Sequence, residues 1–303
     1  MTAVLCLGSL LLDTIAVVDR LPGDDERVEA EHVVLAGGGN ASTSAVTIAR
    51  LGVDVDFAGV IGDDDMGRLA LSGLAAEGVG VSGVEIRDDI ETSHSVVIVN
   101  TGRAARTIIT RPTTIPTAVP TGYEWMHVDK VGYQALRAAG GSESRVSIDD
   151  GNPVADLDLN LIDLYVPTTQ VLLDRYGVGD PIEAARRALA DGARTVVATD
   201  GSRGSFAVTL DTIAYAPALP IVPLSSLGAG DVFHGALLAA VVLGKELPDA
   251  IRFANVTAAL SCRAIDGRSG IPDRQEVEDV LGELPTTTGQ TPALIRELLG
   301  RTA

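Results

Sequence analysis

The sequence predicts an α/β fold: a central, mostly parallel sheet with helices on both faces, to which a small β-sheet lid is attached. Short apolar strands alternate with segments of helical periodicity over most of the 303 residues, which is typical of a parallel sheet covered on both sides. Two segments, at about residues 12–35 and 93–111, break this alternation and have the pattern of antiparallel hairpins. A chain of this length lies near the upper limit for one globular domain. We therefore predict one domain over residues 1–303, with the two segments inserted as the lid.

The first part of the chain predicts two strands, each followed later by a helix. The apolar residues Val4–Leu7 predict a buried first strand, and residues 55–61 predict a second. Helical periodicity covers residues 41–51 and 66–77, and a glycine follows each segment. Because glycine has no Cβ, it readily adopts the left-handed conformation that closes a helix.

The second part continues the alternation. The remaining strands are predicted at Trp125–Val128, residues 146–148, residues 161–166 and Thr195–Thr199, and helices near residues 133–139 and 182–190. Residues 232–242 are apolar almost all round, which indicates a buried helix. A threonine-rich connection at residues 285–291 is expected to lead to one last short helix.

The two inserted segments are largely polar, with turn residues at 22–24 and 100–102. A hairpin flap over one edge of the sheet would exclude water from a cleft during chemistry. Exposed strand edges in such a lid invite pairing with a second copy of the chain, so we expect a homodimer formed through the lid.

Composition excludes several classes of function. Acidic residues outnumber basic ones 41 to 23, giving a net charge of -18, whereas nucleic-acid binding needs clustered Lys and Arg. The apolar N-terminal stretch is interrupted at Asp13, short of the ~20 residues that a membrane span needs. Cys6 and Cys262 are far apart in apolar surroundings, which favours reduced thiols and a cytoplasmic protein.

The motif Leu227-Gly-Ala-Gly-Asp231 lies directly before the apolar helical segment. Its glycines let backbone N–H groups approach an anion, and the positive end of the helix dipole points to the same place. An acid there is poised to accept a proton from a hydroxyl nucleophile during phosphoryl transfer. An ordinary helix start, with Asp231 as N-cap, is the alternative for the pentapeptide alone.

Several ordered blocks resemble one family, the ribokinase-like or PfkB carbohydrate kinases. The blocks are residues 37–52 (GGGNASTSAVTIARLG), 62–67 (GDDDMG), 226–237 (SLGAGDVFHGAL), 252–260 and 267–272. The joint order of these blocks is the signal, since each block alone is weak. Within the family, the signatures are most similar to those of ketohexokinase and sulfofructose kinase.

The resemblance implies an ATP- and Mg²⁺-dependent kinase that phosphorylates a hydroxyl of a small carbohydrate, a ketose or an anionic sugar. It assigns Asp231 as general base and Gly228, Ala229 and Gly230 as the anion hole. The residues it assigns to the sugar are Asp13, Gly38, Gly39, Asn40 and Thr43. A carboxylate, glycines and an amide also make a chemically reasonable polyol site. Read without the family, Asp13 ends a strand, the glycines make a turn and Asn40 caps a helix.

Basic residues near the lid stand out in an acidic chain. Arg27 and Arg106, with Asp25 beside them, are assigned here to the substrate, because the planar guanidinium suits carboxylate, sulfonate or phosphate. Solvated surface charge is the alternative.

Residues 197–204 (VATDGSRG) resemble the nucleotide loop of the family. The residues assigned to ATP on this basis are Thr199, Gly201, Arg203, Gly204, Leu227 and Asn255. A plain strand and glycine turn, and a helix-packing role for Asn255, are the alternatives.

Two departures from the family pattern concern metals. Thr168 and Val171 stand where the family has an Asn-x-x-Glu element, and valine cannot orient a magnesium-bound water. Residues 225–227, Ser-Ser-Leu, stand where the family often has Asp-Thr-Thr in a loop that contributes to a monovalent-cation site, so potassium activation is left open. The four histidines, His32, His94, His127 and His234, have no metal-ligand spacing.

Other functions stay open on the sequence alone. A non-catalytic sugar and nucleotide sensor fits the lost Asn-x-x-Glu element. A nucleoside kinase would use the same machinery, although an aromatic content of 3% disfavours a base-stacking pocket. A P-loop kinase is excluded because the Gly-x-x-x-x-Gly-Lys-Ser/Thr motif is absent, and residues 37–40 lack the Gly-x-Gly-x-x-Gly spacing of a dinucleotide-binding oxidoreductase.

Overall fold

The computed structural model describes residues 3–102 and 105–284, together with residues 295 and 297. The predicted connection at residues 285–291 lies outside the described residues, as does most of the helix expected after it. In chain order, the strands are β1 Val4–Leu7, β2 Leu11–Val18, β3 His32–Gly38, β4 Val55–Gly62, β5 Gly80–Arg87, β6 His94–Asn100, β7 Ala105–Thr110, β8 Trp125–Val128, β9 Arg145–Asp150, β10 Leu164–Pro167, β11 Thr195–Thr199, β12 Ser205–Val208 and β13 Ile213–Ala216. The helices are α1 Asn40–Arg50, α2 Asp65–Ala76, α3 Lys130–Ala138, α4 Thr169–Tyr176, α5 Pro181–Ala190, α6 Ala229–Val242, α7 Leu247–Ser261 and α8 Arg274–Glu283.

The larger sheet has nine strands in the order β13-β12-β11-β10-β9-β8-β1-β4-β5. The strands from β11 to β5 are parallel, and β12 and β13 form an antiparallel edge. This confirms the predicted fold class. The chain adds β4 and β5 on one side of β1 and then crosses to β8 on the other side. Such a switch in strand order opens a crevice at the carboxyl ends of the two central strands, which is where ligands bind in open α/β sheets.

Helices cover both faces of this sheet. Buried apolar residues of α1, α6 and α7 form one core cluster with β1 and β4. Those of α3, α4 and α5 form a second cluster on the other face. Helix α6 packs between α1 and α7, and its residues 232–240 are all buried, as its apolar sequence predicts.

The smaller sheet has four strands in the order β3-β2-β6-β7. The pairs β2–β3 and β6–β7 are antiparallel, in agreement with the two predicted hairpins, while β2 and β6 pair in parallel. By register, Asp13, Ser95 and Arg106 share one face, and Val33, Leu35, Val96 and Ile109 share the other. The first of these faces is turned toward the end of the large sheet, because Asp13 lies against Gly38 and Arg106 bonds to Ser226.

Some elements were not predicted from the sequence. Strand β5, helices α4 and α8 and the hairpin β12–β13 are present in the structure. The strand expected at residues 161–166 begins only at Leu164, because a 3-10 turn at Leu159–Leu161, capped by Asp158, precedes it. Across the described residues, every helix is too short or too polar to span a bilayer.

Candidate active site

The carboxyl ends of the parallel strands bring several polar residues to one edge of the large sheet. Ser9 follows β1, Asp129 follows β8, Asp149 lies near the end of β9 and Thr199 ends β11. The first two flank the point where the strand order switches. Helix α6 starts at this edge and presents Asp231 in its first turn. The candidate site therefore lies where the topology opens a crevice.

The start of α6 leaves backbone donors available. Gly228 is the N-cap, with a φ of 74°, and a Cβ there would lie 2.8 Å from the Cα of Gly267. Within the described part of the chain, the N–H groups of Gly228 and Gly230 have no hydrogen-bond acceptor, whereas that of Ala229 donates to the Ser226 carbonyl at 3.3 Å. The structure thus differs from the sequence-based expectation at Ala229. Free N–H groups at a helix N-terminus form an anion site.

Asp231 does not cap its helix. Gly228 holds the N-cap position, and the Asp231 carboxylate accepts a hydrogen bond of 2.8 Å from the Asn40 amide. Burial, reinforced by the negative charge of Asp149, raises the pKa of Asp231 to about 7. A carboxylate with that pKa is well matched to accept a proton near neutral pH.

Asn40 also does not cap. It is the first residue of α1, after the N-cap Gly39. Its Nδ2 atom donates to Asp231 and, at 3.1 Å, to the Oδ2 atom of Asp149. The other oxygen of Asp149 pairs with Nε2 of His234 at 3.0 Å. Neither Asp231 nor Asn40 therefore caps a helix.

Asp129 holds together the backbone around the crevice. One of its oxygens accepts from the backbone N–H of Ser9 at 2.8 Å and from the Ser9 hydroxyl, and the other accepts from the N–H groups of Val131 and Gly132. The Ser9 hydroxyl oxygen in turn accepts from the N–H of Asn40 at 3.0 Å. Burial raises the pKa of Asp129, partly opposed by the Ser9 bond. This network joins the ends of β1 and β8 to the start of α1.

Glycines are required where the small sheet meets α1. A Cβ on Gly38 would lie 2.3 Å from the Asp13 carboxylate. Gly39 has a φ of 102°, and a Cβ there would lie 2.4 Å from the carbonyl oxygen of Ser9. Burial raises the pKa of Asp13, opposed by the Ser95 hydroxyl and by the charge of Arg268. Asp13 thus lies against Gly38, two residues before Asn40, and the assignment of these residues to the sugar stays a prediction.

Arg268 is a buried cation under this site that sequence reasoning did not single out. Its guanidinium donates to the Gly38 carbonyl at 3.0 Å, to the Ser42 hydroxyl at 2.8 Å and to the Thr43 hydroxyl at 3.2 Å. Burial lowers the pKa of Arg268 to about 10, so it remains charged. The Thr43 hydroxyl, which the resemblance assigns to the sugar, is engaged by Arg268.

The lid residues separate into two groups. Arg106 donates to the Ser226 hydroxyl at 2.7 Å and so reaches the loop that precedes the anion site. Asp25 and Arg27 lie in the exposed loop between β2 and β3. Arg27 lines a separate hollow with Asp19, Glu29 and Thr101 at the far end of the lid strands. Their assignment to the substrate stays a prediction.

The residues assigned to nucleotide surround the end of β11. Gly201 and Arg203 form a 3-10 turn directly after Thr199 and Asp200, and Gly204, with a φ of 102°, starts the return into β12. The Arg203 guanidinium makes two bonds of 2.8 Å to Asp200. These side chains share the sheet edge with Asp231, and their role in nucleotide binding stays a prediction.

Leu227 and Asn255 lie nearer to α6. Leu227 is half-buried, and its N–H donates to the Ser225 hydroxyl at 3.1 Å. The Asn255 amide donates to the backbone carbonyls of Ala216 at 2.8 Å and Pro217 at 3.3 Å. Asn255 therefore has the helix-packing contacts that sequence reasoning kept as an alternative to a nucleotide contact.

The described side chains do not form a metal site of their own. Thr168 caps α4 by accepting from the N–H of Val171 at 3.2 Å, and neither residue offers a carboxylate. Searching the described residues gives no cluster of three or more His, Cys, Asp or Glu side chains that would hold a metal ion.

Sequence reasoning did not identify five residues that lie in or under this site: Asp149, His234, Ser9, Asp129 and Arg268. Each sits in an ordinary strand end, turn or helix, and the contacts that bring it to the site join residues 31 to 230 positions apart in sequence. The local sequence offered one indication of the site, two adjacent acids, Asp149 and Asp150, at the end of a buried strand.

Three comparisons with known proteins bear on this site. The model of the pfkB family carbohydrate kinases matches residues 1–157 and 159–274. The chain is 26% identical to ribokinase of Bacillus subtilis over 286 residues, covering 91% of this chain and 98% of that protein. It is 26% identical to mouse ketohexokinase, covering 88% and 98%. The structure of Arabidopsis thaliana ribokinase complexed with ribose and ATP superposes with a TM-score of 0.77 at 22% identity, covering 92% of this chain and 98% of that one.

Proposed function

The chain belongs to the pfkB family of carbohydrate kinases, phosphotransferases that act on an alcohol group, and from this premise we propose that Asp231 is its general base, with ATP as donor. The acceptor is the hydroxyl of a small carbohydrate, a ketose or an anionic sugar. The observation that carries the proposal is the meeting of free N–H groups and an acid of raised pKa in the first turn of one helix.

In the proposed reaction, the acceptor hydroxyl lies against the Asp231 carboxylate and loses its proton to it as its oxygen bonds to the γ-phosphorus. The bond between the γ-phosphorus and the bridging oxygen breaks, and ADP leaves. The N–H groups of Gly228 and Gly230 donate to the transferring phosphoryl oxygens, whose charge the dipole of α6 also stabilises. Asp13 and Asn40 hold other hydroxyls of the acceptor.

The proposed dimer rests on the outer face of the small sheet. Four apolar side chains of that face are exposed, Val33 by 65%, Leu35 by 46%, Val96 by 40% and Ile109 by 63%. A two-fold contact between these faces would bury them in both copies. Val33→Lys should give a monomer in analytical ultracentrifugation, and a dimer that persists would refute this contact.

The test of the function is an ADP-release screen over neutral ketoses, aldoses, anionic sugars and nucleosides, with and without potassium. Acceptor-dependent ADP release with a ketose or an anionic sugar is expected. Preferred nucleosides would instead favour a nucleoside kinase. Binding of sugar and ATP by calorimetry without ADP release would favour a sensor and overturn the proposal.

The variant Asp231→Asn tests the base directly. Loss of a general base typically lowers the rate by about 10²- to 10⁴-fold, while ATP and sugar should still bind. Asp249→Asn is the matched control, because Asp249 is an exposed acid in the first turn of the next helix. Turnover of Asp231→Asn comparable to that of the control would contradict the assignment.

A further inference from the structure

A network of side chains runs from the half-buried Asp231 and Asn40 into the core. Asn40 Nδ2 donates to Asp231 at 2.8 Å and to Asp149 at 3.1 Å, and Asp149 pairs with His234 Nε2 at 3.0 Å. Because both amide hydrogens of Asn40 face carboxylates, its side-chain oxygen cannot take their place without two repulsive contacts. The orientation of Asn40 is therefore determined by the two acids together.

His234 is held in this network by its contact with Asp149. Its side chain is 4% exposed and that of Asp149 is 6% exposed. Among the described residues, Nδ1 of His234 has no hydrogen-bond partner, so the Nε2 contact with Asp149 is what holds the ring. A carboxylate so deeply buried needs a compensating charge or several donors. Besides His234 and Asn40, Asp149 receives a bond of 2.8 Å from the N–H of Gly151.

The charges around the base favour the same arrangement. Asp231 faces Asp149 from β9 and Asp129 from the end of β8, and the cations that act on it are His234 on its own helix and Arg268. His234 also faces Asp150, and it packs against His127 on β8 with 5.8 Å between ring centroids. Burial, with His234 next in effect, lowers the pKa of His127 to about 3, so His127 is neutral.

The ionisation states follow from these contacts. Burial favours a neutral His234, but the neighbouring Asp149 outweighs it and raises the pKa of His234. Burial likewise opposes ionisation of Asp149, yet His234 lowers the pKa of that carboxyl. The two shifts favour the ionised forms of both partners, and the Asp149 carboxylate faces the base through the single amide of Asn40.

We propose that His234 is a positioning residue: acting through Asp149 and Asn40, it fixes both the orientation and the ionisation of Asp231. The inference rests on the proposed function, in which Asp231 is the base. His234 itself touches no reacting atom in this scheme. Its charge balances Asp149, and without that balance two acids would compete for one proton across the Asn40 amide.

Substitutions of His234 and of Asp149 should shift the pKa of Asp231 in opposite directions. His234→Gln keeps a donor toward Asp149 and removes the charge, so the pKa of Asp231 should rise by about one unit. Asp149→Asn removes the acid that raises the pKa of Asp231, and this effect is larger than the lowering caused by His234. Without Asp149, the charged form of His234 is also less favoured. The pKa of Asp231 should therefore fall. His127→Gln, an equally buried histidine without a bond to Asp149, is the matched control.

The experiment measures the Asp231 pKa by carboxyl carbon NMR of protein labelled at aspartate, with the resonance assigned from Asp231→Asn. It also records the pH profile of kcat/KM for each variant, and affinities for ATP and sugar by calorimetry. We expect the pKa of Asp231 to rise in His234→Gln, to fall in Asp149→Asn and to stay near normal in His127→Gln. The affinities for ATP and sugar should change little. Because the NMR titration needs no turnover, absent kinase activity would sink the proposed function while leaving the titration interpretable.

A purely structural histidine gives a different result. If His234→Gln folds, as judged by circular dichroism, and the pKa of Asp231 stays where it is, the inference is wrong even if activity falls. A shift of the Asp231 pKa in the same direction in both variants would also overturn the inference. Should His234→Gln fail to fold, Asp149→Asn alone still decides, because an unchanged or higher pKa of Asp231 contradicts the proposal.

Discussion

Asp231→Asn should make the protein more stable at the same time as it removes turnover. The pKa of this carboxyl rises from 3.8 to about 7 on folding. At about 1.4 kcal/mol per pKa unit, ionised Asp231 lowers the free energy of unfolding by about 4 kcal/mol above pH 7. Its side chain still meets solvent at the crevice, which screens the charge, so we expect a gain of about 2 to 4 kcal/mol from the substitution. Asparagine can accept the same bond from Asn40.

The pH dependence distinguishes this cause from a general effect of the substitution. Because the folded-state pKa is the higher one, the native state binds more protons, and the instability caused by Asp231 disappears as pH falls through about 7 toward 4. Urea denaturation at pH 8 and pH 5 should therefore show a stability gain that shrinks to roughly half at pH 5. Asp249→Asn, the exposed control, should show no such trend. A gain that is absent at pH 8, or equal at both values, would refute the reasoning.

Three further substitutions follow from contacts of the site. Gly39→Ala places a methyl group 2.4 Å from the Ser9 carbonyl at a positive φ, so thermal denaturation should show a loss of about 1 to 3 kcal/mol and kinetics a lower kcat; an unchanged kcat would contradict it. Arg268→Met removes the guanidinium bonds to the Gly38 carbonyl and to the Ser42 and Thr43 hydroxyls, and we expect a loss of about 1 to 3 kcal/mol with a higher KM for the acceptor. An effect on the KM for ATP alone would oppose this view. Arg106→Ala should leave stability within about 0.5 kcal/mol and raise the KM for ATP; if only the KM for the acceptor rises, Arg106 serves the sugar.

Most of the large sheet could be predicted because its strands are buried on both faces. Val4–Leu7, Trp125–Val128 and Thr195–Thr199 match the structure to the residue, since a continuous apolar run bounded by turns leaves few alternatives. Strand β5 has half-buried residues at nearly every position, so it shows neither an apolar run nor a clean alternation. It forms because it pairs with β4, a contact that the local pattern does not contain.

The sequence motif singles out Asp231 and the glycines before it, and the structure places them at the start of α6. The supporting residues of the site could not be predicted, because their roles come from contacts across the fold. Asp149 is one of many acids in an acidic chain, and it is set apart only by lying between Asn40 and His234. Likewise Arg268 follows an ordinary loop pattern, and only the structure brings it under Gly38.

The distribution of charge in the crevice bears on which acceptor fits. Asp13 and Asp231 make its inner end negative, while His234 balances the charge of Asp149 and the buried guanidinium of Arg268 is occupied by a carbonyl and two hydroxyls. A sugar anion at that end would meet repulsion from these two carboxylates. Arg106 reaches Ser226, next to the free N–H groups of α6, so its charge serves the transferring phosphate better than a distant anionic group. Of the two acceptor classes proposed, we therefore expect a neutral ketose to give the higher kcat/KM, and a clear preference for the anionic class in the ADP-release screen would refute this ranking.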